Sequence, residues 1–268
     1  MRQFCTGMTV LIVSHPRYHQ EQVKEALLSG KHVLCESPIA LSEEACQELF
    51  SLAKQKKLIL MEAIKTAYAI AFSRLVLLLK SGKIGEVISV DATCTSLSDL
   101  NTSARDADTW NSICAWGPTA LLPIFQILGT DYQKMNMYTW IVDQTNNFDA
   151  FTKIDFKYTH AVASVKVGKG VKSEGDLVVS GTKGYLYVPS PWWKTDYFEI
   201  RYENPANNQR YFFQLDGEGI RNELVSFMKS VEAQCDYSAI SPILSAAIAK
   251  VMNKFEEKEA STLYFEKT

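Results

Sequence analysis

The first third of the chain alternates short apolar runs with amphipathic stretches. The apolar runs are TVLIVS (9–14), HVLCES (32–37) and LILMEA (58–63), and each is apolar on both faces. Residues 17–29 and 41–57, which separate them, carry apolar side chains at helical spacing. Strands buried on both faces that alternate with helices form parallel sheets with right-handed crossovers. The pattern therefore predicts a β-α-β-α-β unit in which helices pack on a parallel sheet.

Beyond residue 66 the pattern changes. Residues 69–82 predict a helix that ends at Gly82, and residues 86–97 predict a longer strand with period-two alternation. CAWGPTALLPIFQILG (114–129) predicts a helix that is interrupted near Pro118 and Pro123. Most segments between 131 and 214 alternate, which indicates a largely antiparallel sheet. Two closing helices are predicted, at 217–233 and 240–256.

Composition and charge exclude several classes of function. Of the 268 residues 47% are hydrophobic and 22% charged, the net charge is −2, and no block of Lys or Arg is present. These values are typical of a globular protein and argue against nucleic acid or an anionic membrane as a partner. The longest apolar stretches are interrupted by polar residues, so no membrane span is predicted.

The cysteines and histidines also limit the chemistry. Six cysteines are scattered without a C-x-x-C pair, so we expect reduced thiols and a cytoplasmic location. The four histidines are not paired with Cys or Asp at metal-ligand spacing, and no metal site is predicted.

Four stretches of the sequence resemble one family, the NAD(P)-dependent sugar and polyol oxidoreductases called Gfo/Idh/MocA. These stretches are VLIVSHPRYHQEQVKEALLSGKHVLCESPIAL (10–41), LMEAIKTAY (60–68), LLKSGKIGEVISVDA (78–92) and VSGTKGYLYVPSPWW (179–193). The resemblance implies a partial, C-terminal half of a Rossmann nucleotide domain over 1–66. It also implies a large, mainly antiparallel open-sheet domain with helices on one face over 67–268. A sugar-like ligand, NAD or NADP as cofactor, and a homodimer or higher oligomer through the large sheet are further expectations.

The sequence departs from the family at the cofactor end. The family's first strand is followed by a G-x-G-x-x-G turn, whose amides hold the cofactor pyrophosphate. This sequence contains no such motif and resembles the family from its fourth strand onward. We therefore expect a truncated nucleotide domain and weak binding of NAD(P) by this chain alone.

The sequence also departs from the family at the catalytic positions. The family's Glu-Lys-Pro turn is Glu36-Ser37-Pro38 here, and Ser cannot supply the charge or the reach of Lys. In the Asp-x-Gly-x-His type motif, Ala115 stands at the carboxylate position and Thr119 at the His position. The resemblance thus implies an oxidoreductase homologue that is catalytically impaired.

Other positions of the family's site are occupied by polar residues. The resemblance places His15, Pro16 and His19 near the cofactor, together with Glu36 and Pro38 of the turn. The two histidines could instead cap the helix that follows them. Lys65, after the third strand, could replace the missing lysine as a catalytic residue or could simply be solvated.

The substrate side of the site is predicted from loops and aromatic residues. Candidates are Arg105, Thr119, Lys172, Trp192 and Trp193. Aromatic faces stack on sugar rings, but the two tryptophans cannot both point into one core, so one is expected in the core and the other at an interface. A solvated loop is the simpler explanation of Arg105.

Three hypotheses of function remain open at this point. The first is an impaired homologue whose cleft still binds a sugar-like ligand. The second is an active NAD(P)-dependent dehydrogenase in which Lys65 takes the lysine role and the nucleotide half is missing from this chain. The third is a structural or regulatory subunit without catalysis.

Overall fold

The computed structural model describes residues 8–100, 110–215 and 217–264. Its first part is the predicted β-α-β-α-β unit. Within the described residues, a three-stranded parallel sheet has the order β1-β2-β3. The elements are β1 (Thr9–Ile12), α1 (His19–Leu28), β2 (His32–Glu36), α2 (Glu43–Lys56) and β3 (Leu60–Ala63).

Local sequence signals set the limits of α2. The Ser42 side chain accepts a hydrogen bond from the amide of Ala45 at 3.2 Å, which satisfies one of the free amides of the first turn. The helix ends at Lys57, whose φ is +57°. Its apolar face carries Leu49 and Ala53 into the core below the sheet.

The second part is built on a nine-stranded mixed sheet, as counted in the described residues, with the order β11-β10-β9-β8-β4-β7-β6-β5-β12. Pairs β4–β7 and β5–β12 are parallel and the other pairs are antiparallel. The strands are β4 (Val87–Thr95), β5 (Lys134–Asp143), β6 (Phe148–Lys157), β7 (Val162–Gly168), β8 (Leu177–Gly181), β9 (Tyr185–Val188), β10 (Tyr197–Arg201), β11 (Gln209–Phe212) and β12 (Ser261–Thr262). The helices are α3 (Ile70–Lys80), α4 (Ser112–Leu128), α5 (Ile220–Ala233) and α6 (Pro242–Glu256). This is the predicted fold class.

The predicted interruption of α4 is wrong. The helix runs without a break and contains both Pro118 and Pro123. An internal proline removes one helical hydrogen bond and disfavours a helix locally. Here tertiary packing outweighs that cost, because most of α4 is buried against the large sheet. The helix start is also held, since the Asn111 side chain accepts from the amide of Cys114 at 3.0 Å.

The C-terminal helix α6 joins the two sheets. Ala246 and Ala249 belong to the apolar core below the three-stranded sheet, where they pack with residues of α2. Lys250 also pairs with Glu43 at 3.3 Å across this contact. Residues 242–256 therefore contribute to the packing of the first sheet, although they lie far from it in sequence. A domain boundary at residue 66 stays a prediction.

The described cysteines are free thiols. Cys35, Cys46, Cys94 and Cys114 are buried, and Cys235 is exposed. In the same part of the chain, every helix is too short or too polar to cross a lipid bilayer.

Candidate functional site

A cleft of about 450 Å³ lies where the ends of β2 and β3 meet α4 and the start of α5. It contains several residues that the sequence analysis had selected independently. Its lining consists of Leu11, Leu34, Glu36, Ser37, Ala63, Ile64, Lys65, Thr66, Trp110, Ala115, Trp116, Pro118, Thr119, Trp193, Lys194, Glu218, Ile220, Glu223 and Leu224. A smaller cavity of about 210 Å³ near the C-terminal segment is lined by none of the predicted site residues.

Ser37 is a buried structural link in one wall of this cleft. Its hydroxyl donates a hydrogen bond to Oε1 of Glu62, and the amide of Ile39 donates to the same oxygen at 3.2 Å. Burial raises the pKa of the Glu62 carboxyl, and the hydroxyls of Ser245 and Ser37 oppose that rise. The Ser37 side chain thus holds the Glu-Ser-Pro turn against β3, and the position offers no cation to the cleft.

Lys65 reaches the cleft but is engaged by a carboxylate. Its Nζ lies 2.5 Å from Oε2 of Glu218, and Nζ of Lys194 lies 2.7 Å from Oε1 of the same residue. These two ammonium groups lower the pKa of Glu218, Lys194 having the larger effect. Lys65 and Glu218 are 153 positions apart, so folding alone brings this charge cluster together.

Gly219 allows the segment of Glu218 to approach Lys65. Its φ is +93°, and a Cβ atom at this position would lie 2.0 Å from the carbonyl oxygen of Lys65. Only glycine adopts this backbone conformation without strain and leaves room for the opposing backbone. The start of α5 is held further by the Asn222 amide group, which donates to the carbonyl of Tyr68 at 3.1 Å.

Glu36 and Glu223 are two further carboxyl groups in the cleft lining. Burial raises the pKa of Glu36, while the backbone amide of Ser37 and the ammonium of Lys65 lower it. Burial also raises the pKa of Glu223 to about 8, and the charge of Glu36 adds to this rise. Among the described residues, Oε2 of Glu223 has no hydrogen-bond partner. At neutral pH Glu223 is therefore mostly protonated.

Three tryptophans form the aromatic part of the cleft. Trp116 and Trp193 lie with ring centroids 5.0 Å apart, and Trp110 lines another part of the cavity. Trp192 is fully buried, and its indole N–H donates to the carbonyl of Thr93 at 3.1 Å. The structure thus places one of the two consecutive tryptophans in the core and the other in the cleft.

The predicted cofactor residues of the first turn lie behind the cleft. His19 is fully buried, and its two ring nitrogens lie 2.8 Å from the carbonyl oxygens of Pro38 and Ser14. His19 therefore ties the end of β1 to the Glu-Ser-Pro turn. The rings of His15 and His19 lie 6.3 and 6.2 Å from that of Trp110, centroid to centroid, and Pro16 is buried beside them. Neither histidine, nor Pro16 or Pro38, lines the cavity, whereas Glu36 does.

Some of the predicted substrate residues line the cleft and others do not. Thr119 and Trp193 line the cleft. Lys172 is exposed and does not line it, and its Nζ lies 3.4 Å from the carbonyl of Thr95. Arg105 falls outside the described residues.

Sequence reasoning missed Glu218 and Glu223 as site residues. The sequence Gly-Glu-Gly at 217–219 indicates an unusual backbone conformation, which could have identified Glu218 as a candidate. Glu223 shares the buried face of α5 with Phe227 and Ser230, so a carboxylate at a core-facing helical position was the available signal. Their meeting with Lys65 could not be read from the sequence.

Residues 8–64 match the model of a protein family described as an oxidoreductase family with an NAD-binding Rossmann fold, GFO_IDH_MocA. This segment is similar to the Gfo/Idh/MocA oxidoreductases. The match covers the whole β1-to-β3 unit that forms one wall of the cleft.

Further similarity to Gfo/Idh/MocA proteins extends along the chain. Trans-1,2-dihydrobenzene-1,2-diol dehydrogenase of Bos taurus is 24% identical over 242 residues, which are 87% of this chain and 71% of that protein. The first curated relatives match over only 22–23% of their own length. Among solved structures, a 3-ketoreductase from Actinomadura kijaniata in complex with NADP and TDP-benzene superposes with a TM-score of 0.84 at 18% identity, covering 97% of this chain and 80% of that one. Levoglucosan dehydrogenase in complex with NADH and levoglucosan gives 0.79 at 17% identity, over 93% and 77%.

The Gfo/Idh/MocA family implies NAD(P), and the described residues do not fit its pyrophosphate. A pyrophosphate site needs free amides at a helix N-terminus and a glycine-rich approach. The segment before α1 contains Pro16, which has no N–H, and the first turn of α1 contains Glu21. The first turn of α2 contains Glu43 and Glu44. Negative side chains at both helix starts repel a phosphate, so neither helix forms a pyrophosphate site.

The described part of the chain also lacks a cluster of metal-ligating side chains. No group of three or more His, Cys, Asp or Glu side chains with suitable geometry is found there.

Proposed function

We propose that this chain binds a neutral, sugar-like ligand in the cleft and is impaired as an oxidoreductase. The observation that carries the proposal is the composition of the cleft wall, in which the indoles of Trp116 and Trp193 lie beside polar and paired charged groups. Sugar rings present apolar C–H faces, which stack on aromatic rings, and hydroxyl edges, which need donors and acceptors. The wall provides both.

Three positions support the proposed catalytic impairment. Ser37 is hydrogen-bonded to Glu62 and carries no charge, and Ala115 and Thr119 line the cleft where the family places an acid-base pair. A general acid or base must exchange a proton near the operating pH, which neither Ala nor Thr does. The cleft therefore retains a surface for binding. It lacks the acid-base side chains that the family uses for the proton transfer that accompanies hydride transfer.

Lys65 supports an alternative, an active NAD(P)-dependent dehydrogenase. Lys65 and Ser37 line the same cavity, so the ammonium lies in the region from which the family lysine is missing. Its 2.5 Å contact with Glu218 argues against this role, because the carboxylate already takes up the charge. Turnover with NADH or NADPH that is lost in Lys65→Met would favour the alternative.

Intrinsic fluorescence tests the binding proposal, because three of the residues that line the cleft are tryptophans. Titration with levoglucosan and with myo-inositol should give a saturable change in emission. Trp193→Ala should remove most of the change, whereas Trp140→Ala, a substitution outside the cleft, should preserve it. A wild-type protein that responds to neither compound contradicts the proposed function.

A further inference from the structure

The carboxyl of Glu223 is a buried polar group whose partners within the chain are incomplete. The residue is 5% exposed and lines the cleft, and within the described residues Oε2 finds no donor or acceptor. A buried polar atom without a partner is rare in folded proteins and calls for a water or a ligand. Because Glu223 faces the cavity that we assign to the ligand, a ligand atom is the natural partner.

The groups around Glu223 decide its state of protonation. Glu36 at the end of β2 raises the pKa of Glu223, and Lys65 lowers it. Tyr68, which follows Lys65, also lies close enough to interact with the Glu223 charge. Glu218, before α5, pairs with both Lys65 and Lys194, so much of the positive charge is already compensated. The N-terminal position of Glu223 in α5 favours an anion, but burial is the dominant effect and keeps the carboxyl protonated.

We propose that Glu223 contacts the ligand in this cleft and that its carboxyl donates a hydrogen bond to an oxygen of a neutral, hydroxyl-rich molecule. The inference rests on the proposed function and names the group that recognises the ligand. A hydroxyl accepts the proton of a carboxyl and can donate in turn to a neighbouring acceptor such as Glu36. Trp116 and Trp193 would then receive the apolar face of the same molecule.

The charges of the cleft select a neutral ligand. In the described lining, two ammonium groups, Lys65 and Lys194, balance two carboxylates, Glu36 and Glu218, once Glu223 holds its proton. The cluster of Lys65, Lys194 and Glu218 carries a net charge of +1, which Glu36 offsets, so an anionic sugar acid or sugar phosphate gains no net attraction from the lining. A cationic ligand would require ionisation of Glu223.

Ligand binding is therefore expected to depend on the protonation of the Glu223 carboxyl. If the ligand binds only the protonated form, affinity is constant below the pKa of Glu223 and falls by up to about tenfold per pH unit above it. Glu223→Gln keeps the shape and an N–H donor but cannot ionise. The amide should retain binding at pH 7 and remove the decline at alkaline pH.

The test is a fluorescence titration with levoglucosan between about pH 6 and about pH 9.5, the range that brackets the raised pKa of Glu223. We expect the wild type to lose about thirtyfold in affinity across this range. Glu223→Gln should bind within about threefold of the wild type at pH 7 and show no decline, whereas Glu223→Leu should lose about tenfold at pH 7. Glu232→Gln, an exposed glutamate of the same helix, is the matched control and should follow the wild type.

The outcomes separate this inference from the proposed function. A wild-type pH profile in Glu223→Gln, or unchanged affinity in Glu223→Leu, overturns the role of Glu223 while the cleft remains a binding site. If the wild type binds neither levoglucosan nor myo-inositol, the proposed function fails. In that case the protonation of Glu223 is still measured without a ligand, by the infrared carbonyl stretch of a protonated carboxyl at pH 7. A band that disappears in Glu223→Gln supports the protonated donor, and its absence from the wild type overturns it.

Discussion

The two walls of the cleft place a buried carboxyl group differently. In the wall formed by β2 and β3, Oε1 of Glu62 accepts from the Ser37 hydroxyl and the Ile39 amide, although its Oε2 has no partner among the described residues. In the wall formed by α5, Oε2 of Glu223 has no partner among the described residues either, and burial raises the pKa of both groups. Glu223 lines the cleft, whereas Glu62 does not. The carboxyl of the first wall is therefore closed to a ligand, and that of the second is open to one.

The largest effect is expected from a substitution that prevents α5, which forms the open wall, from approaching the segment of Lys65. Gly219→Ala places a Cβ atom 2.0 Å from the Lys65 carbonyl oxygen at a φ of +93°. We expect it to lower the free energy of unfolding by about 3 kcal/mol or more, because backbone on both sides resists displacement. Gly30→Ala is the matched control, since its φ is +73° with no atom within 4 Å, and should cost about 1–2 kcal/mol. Equal losses in urea unfolding would contradict the close approach.

The closed and open carboxyls should respond differently to the same substitution. Glu62→Leu leaves the Ser37 hydroxyl and the Ile39 amide without their acceptor and should destabilise the chain by about 2–3 kcal/mol. Glu223→Leu removes a carboxyl that lacks a full set of partners, so the change should stay within about 1 kcal/mol. Urea unfolding of both variants at pH 7 measures the comparison. Similar destabilisation by both would show that the α5 wall is as closed as the other.

The pH dependence of stability should contain a contribution from Glu223. The folded chain holds this proton at pH values where the unfolded chain has released it, because the pKa rises from 4.5 to about 8 on folding. The free energy of unfolding should therefore fall as pH rises from about 4.5 to about 8. We expect the wild type to lose free energy of unfolding relative to Glu223→Gln by up to about 1.4 kcal/mol for each pH unit within this window. Parallel curves for the two proteins would contradict the raised pKa.

The smallest effect is expected from the ion pairs at Glu218. Lys65→Met and Lys194→Met each remove one partly exposed pair and should change the free energy of unfolding by less than about 1 kcal/mol. The two substitutions should be similar, because each lysine contacts one oxygen of the same carboxylate. A loss well above this value in Lys65→Met alone would give Lys65 a role beyond the pair, and thermal unfolding at low and high salt would detect it.

The sequence predicted those parts of the fold that depend on the local pattern of apolar and polar residues. Apolar runs and helical spacing placed β1, β2, β3, α1 and α2 correctly, and alternation indicated the large sheet. The prediction failed inside α4, where Pro118 and Pro123 suggested a break. Proline penalties act locally, whereas the burial of α4 against the sheet is a tertiary effect.

The sequence predicted the first wall of the candidate site and two further lining residues, Thr119 and Trp193. Ser37, Glu36 and Lys65 follow strands of a parallel sheet, so their meeting at one edge follows from topology. Glu218 and Glu223 come from a segment more than 150 positions later and reach the cleft through the close contact of Gly219 with Lys65. His19 was expected to contact the cofactor, and its ring nitrogens lie next to two backbone carbonyls while the residue does not line the cleft.

A parallel calorimetric titration of the chain with levoglucosan and with NADPH tests the central claim most directly. The account predicts saturable binding of levoglucosan at pH 7 with a dissociation constant at or below about 1 mM, a binding free energy of about −4 kcal/mol. It predicts no saturable binding of NADPH up to the same concentration. Micromolar binding of NADPH without any response to levoglucosan would contradict the account and favour the dehydrogenase alternative.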